Sequence, residues 1–273
     1  MNDAAKVMQV ESLKDGALEV VTLVRPEGQN CLNYDLIEQL SSYFAELRNR
    51  EDVRVVILRS TGKNFCAGLD LQDRRLGREP DSKYSGVSGG MRLQRDINHI
   101  YRFMVYAPQP IICEIQGAAA GGGMSLALAS DVRLATPTAR FNAAFIRIGL
   151  TGGDMGSTYF LPRLVGQSRA AEMVLTGNFM GAEKSLQCGL VSEVVEEDEI
   201  HETALKMADD MLRNAPLALR LTKESLRMNA DAGSLEAAMA MEDRQQILMS
   251  QTKDSVEGAR AFLEKREPNF QDR

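Results

Sequence analysis

The amino-acid sequence predicts an α/β fold that ends in an all-helical region. Three observations carry this reading. Apolar runs of strand length alternate with segments of helical period, and several of those runs are too continuously β-branched to belong to a half-exposed sheet. Beyond about Glu199 the strand signal stops, and only helical periodicity remains. Alternation of this kind favours a parallel sheet crossed by helices.

The first strand is expected over Leu18 to Val24, followed by a helix from Tyr34 to Leu47 whose Leu36, Ile37, Leu40, Tyr43, Phe44 and Leu47 share one face, with Asn33 placed to cap it. Val53 to Leu58 and Ile111 to Ile115 read as strands buried on both faces, and Ala127 to Ala135 as a helix end running into a further short strand. His201 to Arg213, Pro216 to Met228, Leu235 to Ser250 and Ser255 to Lys265 read as four successive helices. The expected division is therefore a core over residues 1–198 and a helical region over residues 199–273. Leu71 to Gly90, with Arg74, Arg75, Arg78, Pro80 and a Ser/Gly cluster, fits no regular element and reads either as a loop beside a ligand site or as a surface excursion.

Composition narrows the class of protein. With 273 residues, 44% hydrophobic and 26% charged, the chain has ordinary globular composition and enough apolar residues for a sizeable core. Met1 to Lys14 holds no apolar run long enough for a signal peptide, and no segment offers eighteen consecutive apolar residues, so a cytoplasmic protein without a membrane partner is expected. Net charge −6 and the lack of a dense Lys/Arg stripe argue against nucleic acid as a partner. Cys31, Cys66, Cys113 and Cys188 are far apart with no C-x-x-C pair, which suggests reduced thiols and no metal site.

Two glycine-rich turns stand out, each directly after an expected strand. One is Gly62 to Leu71; the other is Gly117 to Ser125, which opens a helix. Glycines let a backbone approach a ligand closely, and a helix start offers unpaired N–H groups to developing negative charge. Two such N–H groups aimed at one carbonyl oxygen would make an oxyanion hole, worth roughly 3–4 kcal/mol per donor. The same glycines would equally serve tight strand-to-helix packing. Gly86 to Gly90 matches G-x-S-x-G, with His99 or His201 as possible partners, but the polar Glu79 to Ser85 cannot be the buried strand that a nucleophile elbow requires. Gly149 to Asp154 lacks the order of a dinucleotide fingerprint. His201 reads as a solvated histidine, His99 as a packing or pocket-rim residue, and Arg147 as a surface or subunit-contact arginine.

Six segments then carry a resemblance in collinear order. Phe65-Cys66-Ala67-Gly68-Leu69-Asp70-Leu71, Gln116 to Gly123, Ser130 to Ala135, Leu161 to Gly166, Leu175-Thr176-Gly177 with Gly189-Leu190-Val191, and Glu257 to Arg266 resemble the signatures of the enoyl-CoA hydratase/isomerase (crotonase) family. The resemblance implies a ββα spiral core with a C-terminal helical trimerisation region, assembled as a trimer or a dimer of trimers. It implies an acyl-CoA thioester as substrate, with coenzyme A part of that substrate and no permanently bound cofactor.

By the same resemblance the backbone N–H groups of Leu69 and Gly122 are the oxyanion donors. The turn from Arg25 through Cys31 to Leu32, with Cys66, Ala67, Gly68, Asp70 and Gly121, lines the coenzyme A, Asp70 more as a turn-stabilising carboxylate than as a catalyst. Phe262 and Lys265 approach the nucleotide end, often that of a neighbouring subunit. Hydratases of the family use two glutamates; those positions hold Ser125 and Phe145 here, neither of them basic. Ser125 remains a weak candidate for orienting water, and Phe145 a wall of the substrate pocket. Asp154 sits in a turn similar to that of the dienoyl-CoA isomerase branch, where an aspartate is an acid/base, although an Asp just before a helix is also a common cap. Hydration and isomerisation are both open, with a family hydrolase, a C–C lyase or an inactive CoA-binding subunit as alternatives.

Overall fold

The computed structural model describes residues 7–77 and 83–273. In chain order the elements begin with β1 (Met8–Leu13), β2 (Leu18–Leu23), α1 (Tyr34–Leu47), β3 (Val55–Ser60), α2 (Gly86–Tyr106) and β4 (Ile111–Ile115). Next come β5 (Ala118–Ala120), α3 (Gly122–Ala129), β6 (Val132–Ala135), β7 (Arg140–Asn142), α4 (Ser157–Val165) and α5 (Gln167–Thr176). β8 (Met180–Gly181), α6 (Ala182–Gln187) and β9 (Glu193–Val194) complete the strands, and α7 (Ile200–Leu212), α8 (Pro216–Asn229), α9 (Leu235–Ser250) and α10 (Lys253–Glu264) end the chain.

One sheet runs in the order β1-β2-β3-β4-β6-β9, parallel throughout except for the β1–β2 pair. A second, smaller sheet has the order β5-β7-β8. The period-2 alternation of a strand divides the large sheet cleanly between two cores. Val21, Leu23, Val56, Leu58, Cys113 and Ile115 face inward with α1 and α2. Leu18, Val20, Val55, Ile57, Ile112 and Leu134 face the other way, against Ile200, Ala204 and Ala208 of α7. Both faces are covered, which explains the unbroken apolar runs in the sequence. α7, although beyond residue 198, is thus a layer of the sheet's packing.

Several expectations hold at the level of single residues. α1 spans Tyr34–Leu47, and the Asn33 side chain accepts from the Leu36 amide. β4 and α9 have the expected bounds. The four cysteines are free thiols. His99 stacks on Phe103, and exposed Arg147 donates to Asn178.

Two expectations need correction. The stretch read as irregular from Leu71 to Gly90 contains a short 3₁₀ turn at Arg74–Leu76, and its last five residues, Gly86 to Gly90, are the start of the 21-residue α2; Arg78 and Pro80 lie outside the described residues. Glycine-rich sequence hid this helix start, but Ile97, Ile100, Tyr101 and Met104 bury one face at helical spacing and hold the segment down. The described residues directly before Gly86, Lys83 to Ser85, form a turn and no strand, so the G-x-S-x-G match is no nucleophile elbow. His201 is not simply solvated: its Nδ1 lies 2.7 Å from a buried Glu114 oxygen, and Arg59 stands 3.5 Å from the other oxygen. Burial of Glu114 under α7 leaves that carboxylate needing partners, and His201 and Arg59 supply them.

Candidate active site

The two glycine turns converge. The Cys66 amide donates to Ala118 O at 3.1 Å and Ala120 N donates back to Cys66 O at 3.0 Å, so the first turn is zipped onto β5. Its other edge is held by Leu32, whose amide donates to Gly68 O at 2.8 Å and whose carbonyl accepts from Asp70 N at 3.0 Å. Between these edges Gly68 takes φ +103, and a Cβ there would lie 2.9 Å from Ala120 O and 3.6 Å from Gly122 N. Only glycine tolerates that conformation and approach. Leu69, the next residue, therefore stands beside the first residue of α3.

Among the described residues neither the Leu69 amide nor the Gly122 amide has a hydrogen-bond acceptor. Gly122 is the first residue of α3, where an amide has no intrahelical partner. Leu69 lies in a bridge to Leu32 in which the neighbouring Asp70 amide, not its own, makes the bond. Two unpaired donors on adjoining turns are what an oxyanion requires.

The rigid frame around them is polar where it must be. Arg25 forms an ion pair with Asp70 at 2.7 Å and donates to Cys31 O at 3.3 Å, while buried Asn30 donates to Thr61 O and Asn64 O. Asp70 is thus engaged in holding its turn. Desolvation pushes the Cys66 thiol up to about 12 and raises that of Cys31, so neither is disposed to act as a thiolate.

Phe145 packs its ring 3.4 Å from where a Cβ on Gly121 would lie, closing one wall with an apolar surface. Ser125 is fully buried in α3, and its Oγ has no partner among the described residues. Asp154 lies at the turn before α4, next to Met155, whose Sδ would lie 3.1 Å from a Cβ on Gly122. One carboxylate oxygen, Oδ1, accepts from the Met155 amide at 2.7 Å and from Gln94 of α2, while its backbone amide donates to Ser157 Oγ. The second oxygen, Oδ2, has no partner among the described residues. Tyr101 ties this turn to the donor helix: its hydroxyl is 3.1 Å from both Gly122 O and Met155 Sδ. Burial raises the Tyr101 hydroxyl well above its ordinary value, so it remains a neutral donor.

Gln94 and Tyr101 were not singled out in the sequence. Their signal is the i, i+7 spacing on α2, obscured by the glycine cluster at its start. Phe262, by contrast, stands 83% exposed on α10, and Lys265 caps that helix in a left-handed conformation. Among the described residues no group of three or more His, Cys, Asp or Glu is arranged to hold a metal ion, and no helix is long and apolar enough to cross a membrane.

The enoyl-CoA hydratase/isomerase family model matches residues 14–273, nearly the whole chain. The chain belongs to the enoyl-CoA hydratase/isomerase family. As a member it is an acyl-CoA-processing enzyme, and its architecture is the crotonase fold. A 1,2-epoxyphenylacetyl-CoA isomerase of Escherichia coli is 34% identical over 253 residues, covering 92% of this chain and 93% of the relative. A short-chain-enoyl-CoA hydratase of Clostridium acetobutylicum is 32% identical, covering 93% and 94%. The crystal structure of an enoyl-CoA hydratase from Bacillus anthracis superimposes with a TM-score of 0.89 at 31% identity, covering 98% of this chain and all of that one. Relatives at similar distance thus carry out different reactions, and the reaction of this member has to be argued from its own residues.

Proposed function

We propose that this enoyl-CoA hydratase/isomerase family member moves the double bond of an enoyl-CoA thioester, with the Leu69 and Gly122 amides stabilising the enolate oxygen and Asp154 carrying the proton. The observation that supports this reading is the pairing of two unpartnered amides with one nearby carboxylate, Asp154, while Ser125 and Phe145 offer no base. Isomerisation needs one proton carrier. The carboxylate takes a proton from the α-carbon, the electron pair delocalises into the thioester to give a dienolate, and the same carboxyl returns the proton to the γ-carbon. Addition of water demands more: a base to deprotonate water and an acid to protonate the α-carbon. One carboxylate with a free Oδ2 suits the first task better than the second. Apolar Phe145 against Gly121 also keeps water from the reacting carbons.

In this reading the Arg25–Cys31 turn and the Cys66–Asp70 segment, with Gly121, face the coenzyme A, which is part of the substrate and not a resident cofactor. Phe145 borders the acyl group. Residues 1–198 hold the thioester site, while residues 199–273 serve assembly, with α7 shared between the two roles. Leu235, Ile247, Leu248, Val256, Phe262 and Leu263 are each more than 60% exposed on α9 and α10, a surface suited to burial against further copies as a homotrimer or dimer of trimers. There Phe262 and Lys265 would reach a neighbour's coenzyme A.

The test is product identity. Incubated with 3-enoyl-CoA, the enzyme yields the conjugated 2-enoyl-CoA, and with 2-enoyl-CoA it yields little 3-hydroxyacyl-CoA. Asp154→Asn, which caps as well as aspartate but cannot shuttle a proton, should lower turnover by roughly 10²–10⁴-fold while thioester affinity is retained. A 3-hydroxyacyl-CoA as main product, or a fully active Asp154→Asn, rejects the proposal.

A further inference from the structure

A cavity of about 550 Å³ opens directly behind the candidate active site, between α2, α4 and α8. Its inner end is formed by Tyr101 and Met155, two of the three side chains that a Cβ on Gly122 would meet. From there it follows one face of α2 through Asn98, Arg102, Val105 and Tyr106, at the i, i+4, i+7, i+8 spacing of a helix stripe. Phe160 and Met228 supply apolar wall opposite. A chain leaving the thioester past Met155 would run along this stripe.

The charges at its outer part do not balance. Asp231 is engaged, one carboxylate oxygen by Arg163 at 2.7 Å and the other by Tyr159. Arg227 lies over the Tyr106 ring at 4.3 Å and stands 3.8 Å from Glu224. Arg102 has neither hydrogen bond nor ion pair among the described residues. Taking these groups together, one guanidinium is left over, on the exposed side of a cavity that buried Met155 and half-buried Val105 and Phe160 also line.

We propose that the acyl group accepted by this enzyme carries a carboxylate remote from the thioester, bound at the outer end of this cavity by Arg102 with Arg227 beside it. The inference rests on the reading of Leu69 and Gly122 as the thioester-oxygen donors, which fixes the end from which the chain enters. Met155, Phe160 and Val105 offer apolar wall to the methylenes. The planar guanidinium takes the distal carboxylate, a pairing for which its fork of donors is suited. An unsubstituted alkyl tail would gain nothing from Arg102, so the cavity discriminates by attraction to the charged end.

The experiment compares pairs of CoA thioesters of equal chain length, one ending in a methyl group and one in a carboxylate, on the full-length protein. Binding is read by calorimetry with saturated thioesters and kcat/KM with their 3-enoyl counterparts. Wild type should favour the carboxylate member by roughly 10- to 100-fold, the span of a charge-assisted hydrogen bond. Arg102→Met should collapse that ratio toward one, and Arg102→Lys should restore part of it, a pattern that a merely structural role would not give. A wild-type ratio near one, or a ratio that survives Arg102→Met, overturns the inference and leaves the active-site reading standing. Failure of every thioester to bind overturns both. Selective binding without isomerisation supports the distal site and rejects only the proposed reaction.

Discussion

Gly122 and Gly123 are neighbours in one short helix, yet alanine should have opposite consequences at the two positions. A Cβ on Gly123 would lie 2.0 Å from Cys66 O and 2.7 Å from Cys66 C, whereas carbon–oxygen contacts settle at about 3.3–3.6 Å. The carbonyl would have to retreat by more than about 1 Å, and it is the acceptor of the Ala120 amide that zips the two donor turns together. Losing that buried bond costs about 1–3 kcal/mol and overpacking another 1–3 kcal/mol, set against about 1 kcal/mol gained from helix propensity. Gly123→Ala should therefore destabilise by about 1–5 kcal/mol, or roughly 2–20 °C in Tm for a chain of this size. At Gly122 the same methyl meets Leu32 Cδ1 at 2.8 Å and Met155 Sδ and Tyr101 OH at 3.1 Å, all of them ends of side chains that can yield. Gly122→Ala should stay within about 1 kcal/mol of wild type while losing turnover, because its neighbours are the ones that orient the donor helix and the Asp154 turn. Thermal melts at one fixed protein concentration, paired with initial rates, read both effects. The reasoning is refuted if Gly123→Ala melts within about 2 °C of wild type or if Gly122→Ala proves the less stable of the two.

Three further outcomes are expected. Gln94→Leu removes one of the two donors that fix Asp154 Oδ1, so kcat should fall roughly 10- to 100-fold through misplacement of the carboxylate with KM nearly constant; an unchanged kcat would show that Met155 N alone suffices. Glu257 is held down to about 2, from 4.5, by the Arg266 guanidinium and the Asn269 amide. A carboxyl whose folded value is depressed contributes fully above its unfolded value and loses that contribution as pH falls toward the folded one. The Tm gap between wild type and Glu257→Gln should then be widest at neutral pH and close between about 4.5 and 2; a gap constant with pH would contradict the pairing. Finally, light scattering should give three or six times the 30.1 kDa chain mass, and a monomer would remove assembly as the role of α9 and α10.

The local rules of the chain were enough to read the elements around the glycine turns and the C-terminal helices. Asn33 before Tyr34, the 3.6-residue stripe through Leu47 and the β-branched runs at Val55 and Ile111 are signals contained within a few residues, and the structure agrees with them. The same holds for the two glycine turns, since φ +103 at Gly68 and the helix start at Gly122 are backbone requirements written in residue type. Family membership too was legible, because six short segments stand in order along the chain. Other features belong to contacts between distant segments and have no local signature. α2 was obscured by its glycines and is stabilised by Ile97, Ile100 and Met104 packing into the core, a gain that exists only once α1 and the sheet are present. Gln94 reaches an aspartate 60 residues away, and His201 a glutamate 87 residues away. Arg102 looks like any surface arginine until α4 and α8 close a cavity beside it. Residue type and spacing determine which elements form and which backbone groups are left unpaired; the direction in which each side chain points, and the charge it meets there, is decided by packing across the fold.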